Sequence, residues 1–205
     1  MWFFEYTALR QYTALRRTSF HGTQRLLIHH IYIPPPPPLT LSHPITKLGE
    51  LRAFVGGPEH LHCLLEPLQL LAMVEESSVR ATTVQSLEAI ASAMTDEQLS
   101  NRYVPFVLEL AAKDWFTARI SAASLFAGVY KRVPVSNQRN WRSFFLRLCM
   151  DESPIVRRSA LMCLGGMATQ VASQEVVAEF LGVFKALADD QRDSVRIQVV
   201  PNCVF

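Results

Sequence analysis

Asp151-Glu152-Ser153-Pro154-Ile155-Val156-Arg157 is the stretch that decides the fold. Ahead of it Trp141, Phe144, Phe145 and Leu148 recur at helical spacing, and Asp151 to Pro154 break the pattern. Ser153 can cap a new helix through its hydroxyl. Pro154 suits the first helical turn, where its missing N–H would have had no partner. Val156, Ala160, Cys163, Leu164 and Met167 then lay an apolar stripe along a second helix. The stretch predicts a helical hairpin.

The same order of acidic loop, arginine and apolar stripe returns elsewhere. It appears as Glu75-Glu76-Ser77-Ser78-Val79-Arg80, as Asp114-Trp115-Phe116-Thr117-Ala118-Arg119 and as Asp190-Gln191-Arg192-Asp193-Ser194-Val195-Arg196. The arginines Arg80, Arg119, Arg157 and Arg196 lie 39, 38 and 39 residues apart. That is near the ~40-residue period of paired-helix solenoid repeats. Leu64, Leu65, Leu68 and Leu71 mark one first helix, and Tyr103, Phe106, Val107 and Leu110 the next. Small residues such as Ala122 and Ala160 on the second helices permit close packing. A helix pair of this size can bury only one of its two apolar faces, so neighbours must stack. The expected fold is all-α, a HEAT-repeat α-solenoid of antiparallel helix pairs whose curve makes an extended binding surface.

The boundaries follow from the period. Residues 45–205 form the array, with a partial repeat at 45–57, repeats at about 58–94, 95–133 and 134–172, and a truncated repeat at 173–205. Residues 1–44 differ in character, with Tyr6-Thr7-Ala8-Leu9-Arg10 echoed at Tyr12 to Arg16 and five prolines at Pro34 to Pro38. A proline run favours an extended polyproline II rod, and the segment reads as a disordered extension. Its arginines against the single Glu5 also have the charge pattern of an organelle transit peptide. The proline run could be a spacer or a dock for a polyproline-binding module.

Composition narrows the function. Of 205 residues 49% are hydrophobic, and 20 basic against 18 acidic residues leave a formal charge of +2. No chain-wide basic field exists to hold nucleic acid. No stretch of about 18 apolar residues could span a bilayer, so no membrane role is expected. The four cysteines form no CxxC pair, which suits a reduced compartment: the cytoplasm or, besides it, the nucleus.

At this point the residues resemble a family. Phe54-Val55-Gly56-Gly57-Pro58-Glu59, His62-Cys63-Leu64-Leu65, Lys113-Asp114-Trp115-Phe116-Thr117-Ala118-Arg119, Ser153-Pro154-Ile155-Val156-Arg157-Arg158 and Gln191-Arg192-Asp193-Ser194-Val195-Arg196 are similar to the 65 kDa scaffold (A-type regulatory) subunits of protein phosphatase 2A. The similarity runs over roughly residues 48–204, an N-terminal-proximal part of that family. It implies a non-catalytic scaffold whose intra-repeat loops meet regulatory B subunits. In the family the catalytic subunit sits on the last repeats, so its binding is expected only if those repeats are supplied. Two departures stand out. The residues before about Leu48 do not resemble the family, and Pro201 stands where the family has a helix former, so the final helix should stop short and both ends of the array lack caps.

The candidate partner-binding residues are Glu75, Glu76, Asp114, Trp115, Phe116, Asp151, Glu152, Pro154, Ile155 and Arg158. Large aromatics in a loop are either tucked under a helix or offered to a partner, and aromatics concentrate at binding hot spots. The acids could equally serve helix N-termini. Arg80, Arg119, Arg157 and Arg196 read as a structural ladder that meets the loop acids of adjoining units. Arg158 adds a second charge in one unit only.

No catalytic, cofactor or metal site is expected. His60, His62 and Cys63 have no second cluster to complete four zinc ligands. Gly56-Gly57-Pro58 is not a phosphate loop and reads as the turn between repeats. There is no nucleophile elbow, zinc helix or dinucleotide fingerprint. The rival readings are another HEAT or armadillo array, such as a transport receptor, and a truncated competitor that binds regulatory subunits without the catalytic one.

Overall fold

The computed structural model describes residue 55 and residues 57–199. The expectations for residues 1–44, for most of the partial repeat at 45–57 and for Pro201 lie outside these residues.

Every element among the described residues is helical. The first helices of successive units are α1 (Leu65–Leu71), α3 (Val104–Ala111), α5 (Val135–Cys149) and α7 (Leu181–Ala188). Each is followed by its partner: α2 (Ser77–Ala93), α4 (Phe116–Val129), α6 (Pro154–Ala168) and α8 (Asp193–Arg196). A 3-10 helix, Pro58–Leu64, runs into α1. Its N-cap, Gly57, has φ +123°, where a side chain would be strained and its Cβ would lie 3.0 Å from a Glu59 carboxylate oxygen.

The second helices stack on one another in the order α2, α4, α6, α8, and α4 against α6 is the most extensive contact. Alanines explain the closeness, since Ala118, Ala122, Ala123 and Ala160 are all wholly buried there. The apolar stripes fall as the period requires: Trp141, Phe145 and Leu148 are buried on α5, and Val156, Ala160, Leu164 and Met167 on α6. Phe144 and Cys163 are only partly buried against that core. An aromatic chain crosses three units. Phe126 of α4 lies 4.4 Å from the Trp141 ring and 5.6 Å from Phe145, which in turn lies 6.4 Å from Phe180. Trp141 also donates its indole N–H to the Phe126 carbonyl at 3.0 Å, so a fully buried indole keeps its hydrogen bond.

Two first helices are not regular. A π turn at Leu99–Tyr103 precedes α3, and another at Val176–Phe180 precedes α7, while α5 runs straight. The reason is length. From N-cap to ladder arginine the chain runs 24 residues in the second unit (Thr95 to Arg119), 23 in the third (Pro134 to Arg157) and 24 in the fourth (Ala172 to Arg196). A π turn takes up one extra residue without ending the helix.

Arginines also tie the units together away from the loops within each hairpin. Arg132 donates to the carbonyls of Ala91 and Met94 at 2.6 and 2.5 Å, satisfying the end of α2, and pairs with Asp96 at 2.8 Å. Buried Arg142 meets Glu179 through Nε and Nη2 at 2.8 and 2.9 Å, Glu175 at 3.0 Å and the Tyr130 hydroxyl at 2.7 Å. The guanidinium holds the Glu179 carboxyl below the usual carboxylate range.

Candidate partner-binding ridge

Each helix pair is joined by a short loop. Residues 72–76 join α1 to α2, and loops of four residues, 112–115, 150–153 and 189–192, join the later pairs. The ladder arginine folds back over its own loop in every unit. Nη1 of Arg80 donates to the carbonyls of Val74 and Glu75 at 2.8 and 2.7 Å. Arg119 does the same to Lys113 and Asp114 at 3.0 and 2.6 Å, and Arg157 to Asp151 and Glu152 at 2.8 and 3.1 Å. Arg196 repeats the bond to Asp190 at 2.6 Å. These carbonyls have no helical partner, so one guanidinium per unit sets the loop's shape.

Two arginines also reach the next unit, as the ladder reading expects. Arg119 pairs with Asp151 at 2.8 and 3.0 Å and touches Glu152 at 3.4 Å. Arg157 pairs with Asp190 at 2.6 and 2.9 Å and holds that carboxyl below its ordinary range. Arg196 takes Asp193 of its own unit instead. Arg80 pairs with no acid among the described residues, and the first two units are joined there by hydroxyls: Thr117 donates to the Met73 carbonyl at 2.5 Å and Ser121 to Ala72 at 2.7 Å.

The candidate residues divide by what they already hold. Asp151 is occupied, since besides Arg119 it accepts the Ser153 N–H at 2.9 Å. The expected Ser153 cap is corrected by the structure: Ser153 is the N-cap of α6 and Pro154 opens the helix, but the serine hydroxyl makes no capping bond. Asp151 binds the N–H of Ser153 itself, a different donor from the N–H groups of the first helical turn that a capping hydroxyl would receive. Glu76 is the N-cap of α2 and accepts the Ser78 N–H and hydroxyl at 3.3 and 3.0 Å, which lowers its carboxyl.

The others face solvent. Glu75, Asp114, Glu152 and Arg158 are exposed, and Arg158 makes no hydrogen bond or ion pair among the described residues. Trp115 is 47% exposed and Ile155 51%, both large for apolar side chains. Phe116 is half-buried against the core with its ring 5.7 Å from Trp115, so it supports the indole from beneath. Pro154 is half-buried at the start of α6.

The sequence reading missed Met150, 53% exposed in the same loop as Asp151. It sits at the end of the α5 stripe and looks like core. Trp115, Met150 and Ile155, rimmed by acids and Arg158, have the composition of a protein-docking ridge. Among the described residues no three His, Cys, Asp or Glu side chains could hold a metal, and no helix is long and apolar enough to cross a membrane.

Comparison with known proteins agrees with the helical-repeat architecture. A HEAT-repeat family model matches residues 142–171. The chain is 42% identical over 161 residues to a probable serine/threonine-protein phosphatase PP2A regulatory subunit of Caenorhabditis elegans, covering 77% of this chain and 27% of that protein. It is 40% identical over 162 residues to the A-type PP2A regulatory subunit of Schizosaccharomyces pombe, with the same coverage. With the beta isoform of the human 65 kDa A-type regulatory subunit of protein phosphatase 2A it shares 44% over 122 residues, 60% of this chain and 20% of that one. The chain thus spans between a fifth and just over a quarter of these relatives' length. Among solved structures Cex1p superposes with a TM-score of 0.58 at 17% identity, over 76% of this chain and 30% of that one, a likeness of fold.

Proposed function

The chain is a HEAT-repeat protein related to the A-type regulatory subunits of protein phosphatase 2A, and from that premise we propose that it is a non-catalytic scaffold whose intra-repeat loops bind a regulatory B subunit. The observation that carries the reading is the half-exposed Trp115, its ring 5.7 Å from Phe116, together with exposed Met150 in the following loop and exposed Ile155 in the first turn of α6. Leaving such side chains in water is unfavourable by about 25 cal/mol for each Å² of apolar surface that a partner would cover. The acids beside them, Glu75, Asp114 and Glu152, add a rim that selects a basic counterpart. The free thiols Cys63, Cys149 and Cys163 suit work in the cytoplasm or nucleus.

The test offers the complete chain separately to purified regulatory and catalytic subunits of protein phosphatase 2A. A Trp115→Ala/Phe116→Ala variant, shown to be helical, runs alongside. Capture of a regulatory subunit that the variant loses supports the reading. Capture of none by the folded wild-type chain, or capture that the variant retains in full, sinks it.

A further inference from the structure

Arg80 is the ladder arginine without an acid. Its Nη1 holds two loop carbonyls as in the other units, and its Nε is buried without a hydrogen-bond partner among the described residues, as that of Arg119 also is; what sets Arg80 apart is that no carboxylate among those residues lies within ion-pair distance, whereas Asp151 stands 2.8 Å from the Nε of Arg119. In Arg119 and Arg157 that edge faces Asp151 and Asp190, each lying six residues ahead of the next ladder arginine. Six residues ahead of Arg119 stands Lys113. Its ammonium turns aside to Glu109 at 2.6 Å, and that carboxylate is further engaged by Gln69 at 3.0 Å. Glu76 accepts from Ser78 and feels the charge of Arg80 without forming an ion pair with it. The position that holds a carboxylate in the later units therefore holds a lysine here, and no carboxylate among the described residues forms an ion pair with Arg80.

Beside Arg80 a groove of about 310 Å³ opens between α2 and α4. Ala81, Val84 and Ile120 make its apolar wall, and Ser77 and Ser124 bring hydroxyls to it. Methylenes along such a wall with a carboxylate at Arg80 are the profile of an acidic side chain.

We propose that this groove receives an aspartate or glutamate side chain from a protein partner, whose carboxylate completes on Arg80 the pairing that Asp151 and Asp190 complete on Arg119 and Arg157. It rests on the reading of the loops as a docking ridge, because the groove begins at Ser77, the helix residue that directly follows the loop carrying Glu75 and Glu76. The partner contributes the missing rung, and the affinity gained depends on an acid at one position of its surface.

Two arms test this with the complete chain. In the first, the Arg80 Nε–H resonance is assigned by its loss in Arg80→Lys and followed by NMR. Capped Gly-Glu-Gly is titrated in, with Gly-Gln-Gly as control. A shift with the glutamate peptide alone, absent in Lys113→Asp where the chain's own carboxylate fills the place, is expected. No shift, or an equal shift with both peptides, overturns the proposal. In the second arm a purified regulatory subunit is the partner. Arg80→Gln should weaken binding about tenfold. Lys113→Asp should weaken it similarly while raising the thermal midpoint by about 2 °C, since it supplies the rung internally. Lys113→Asp with a raised midpoint and unchanged affinity overturns the proposal. Retained binding by the Trp115→Ala/Phe116→Ala variant would instead count against the ridge, and the peptide arm would still decide the groove.

Discussion

Arg119 and Asp151 meet side-on across the boundary between two units, Nε to Oδ2 at 2.8 Å and Nη2 to Oδ1 at 3.0 Å. The same guanidinium holds two carbonyls of its own loop, and the same carboxylate holds the N–H of Ser153, the N-cap of the next unit's second helix. Four elements converge on two side chains that are nearly withdrawn from water. A planar guanidinium suits this place better than a lysine, whose ammonium cannot serve carbonyls and carboxylate in fixed directions at once.

Asp151→Ala should destabilise the array by about 2–3 kcal/mol, because it strands a desolvated guanidinium edge. Adding Arg119→Met should recover part of the loss, with a coupling of about 1–2 kcal/mol in a double-mutant cycle from urea unfolding. Strict additivity of the two changes would show the pair to be incidental.

Trp115 and Phe116 should separate cleanly. Trp115→Ala removes a side chain that is half in water, so the unfolding free energy should hold within about 0.5 kcal/mol while partner capture falls. Phe116→Ala removes a partly buried ring and should cost about 1–2 kcal/mol. Calorimetry beside the capture assay checks both, and a large stability loss in Trp115→Ala would make the indole a packing element.

The period was legible because one arginine per unit is spent on a local task that every unit repeats, and the apolar stripes follow from helical geometry alone. What escaped was relational. As the first acid of its loop Asp114 looks equivalent to Asp151, but counted by position, in the loop or from the arginine, Lys113 takes that place and the first rung is missing. Arg142 escaped because its cluster with Glu175, Glu179 and Tyr130 occurs once and leaves no period. Met150 escaped because an apolar residue ending a buried stripe gives no sign that its turn has rotated it outward. The acids were legible as loop residues, but whether each is occupied, as Asp151 is, or free, as Glu152 largely is, depends on distances no sequence carries.

Acid should loosen the stack at its carboxylates. Arg157 lowers the folded Asp190 carboxyl below its unfolded value, and Arg142 does so for Glu179. Their contribution is complete above the unfolded values, about pH 4, and is lost as pH falls through the folded ones. Asp190→Asn should therefore be less stable than wild type at pH 7 and show a shallower decline on acidification. Thermal midpoints at a series of pH values test this, and parallel curves would contradict it.

Tyr103 carries a hydroxyl that is buried and unpartnered among the described residues, and burial pushes its pKa up. Tyr103→Phe deletes the unmatched group and keeps the ring, so stability should be unchanged or rise by about 1 kcal/mol. A loss beyond about 1 kcal/mol on chemical unfolding would reveal a partner for the hydroxyl.

The π turns at Leu99–Tyr103 and Val176–Phe180 have a consequence for how such an array can change over time. Each absorbs a surplus residue inside a helix, two units apart, and leaves the loops after α3, α5 and α7 at four residues apiece. An insertion placed in a loop would have displaced Trp115 or Ile155 from whatever reads them. Stored upstream it changes only local helical pitch, so the lineage can vary the length of its units while the face shown to other molecules stays the same.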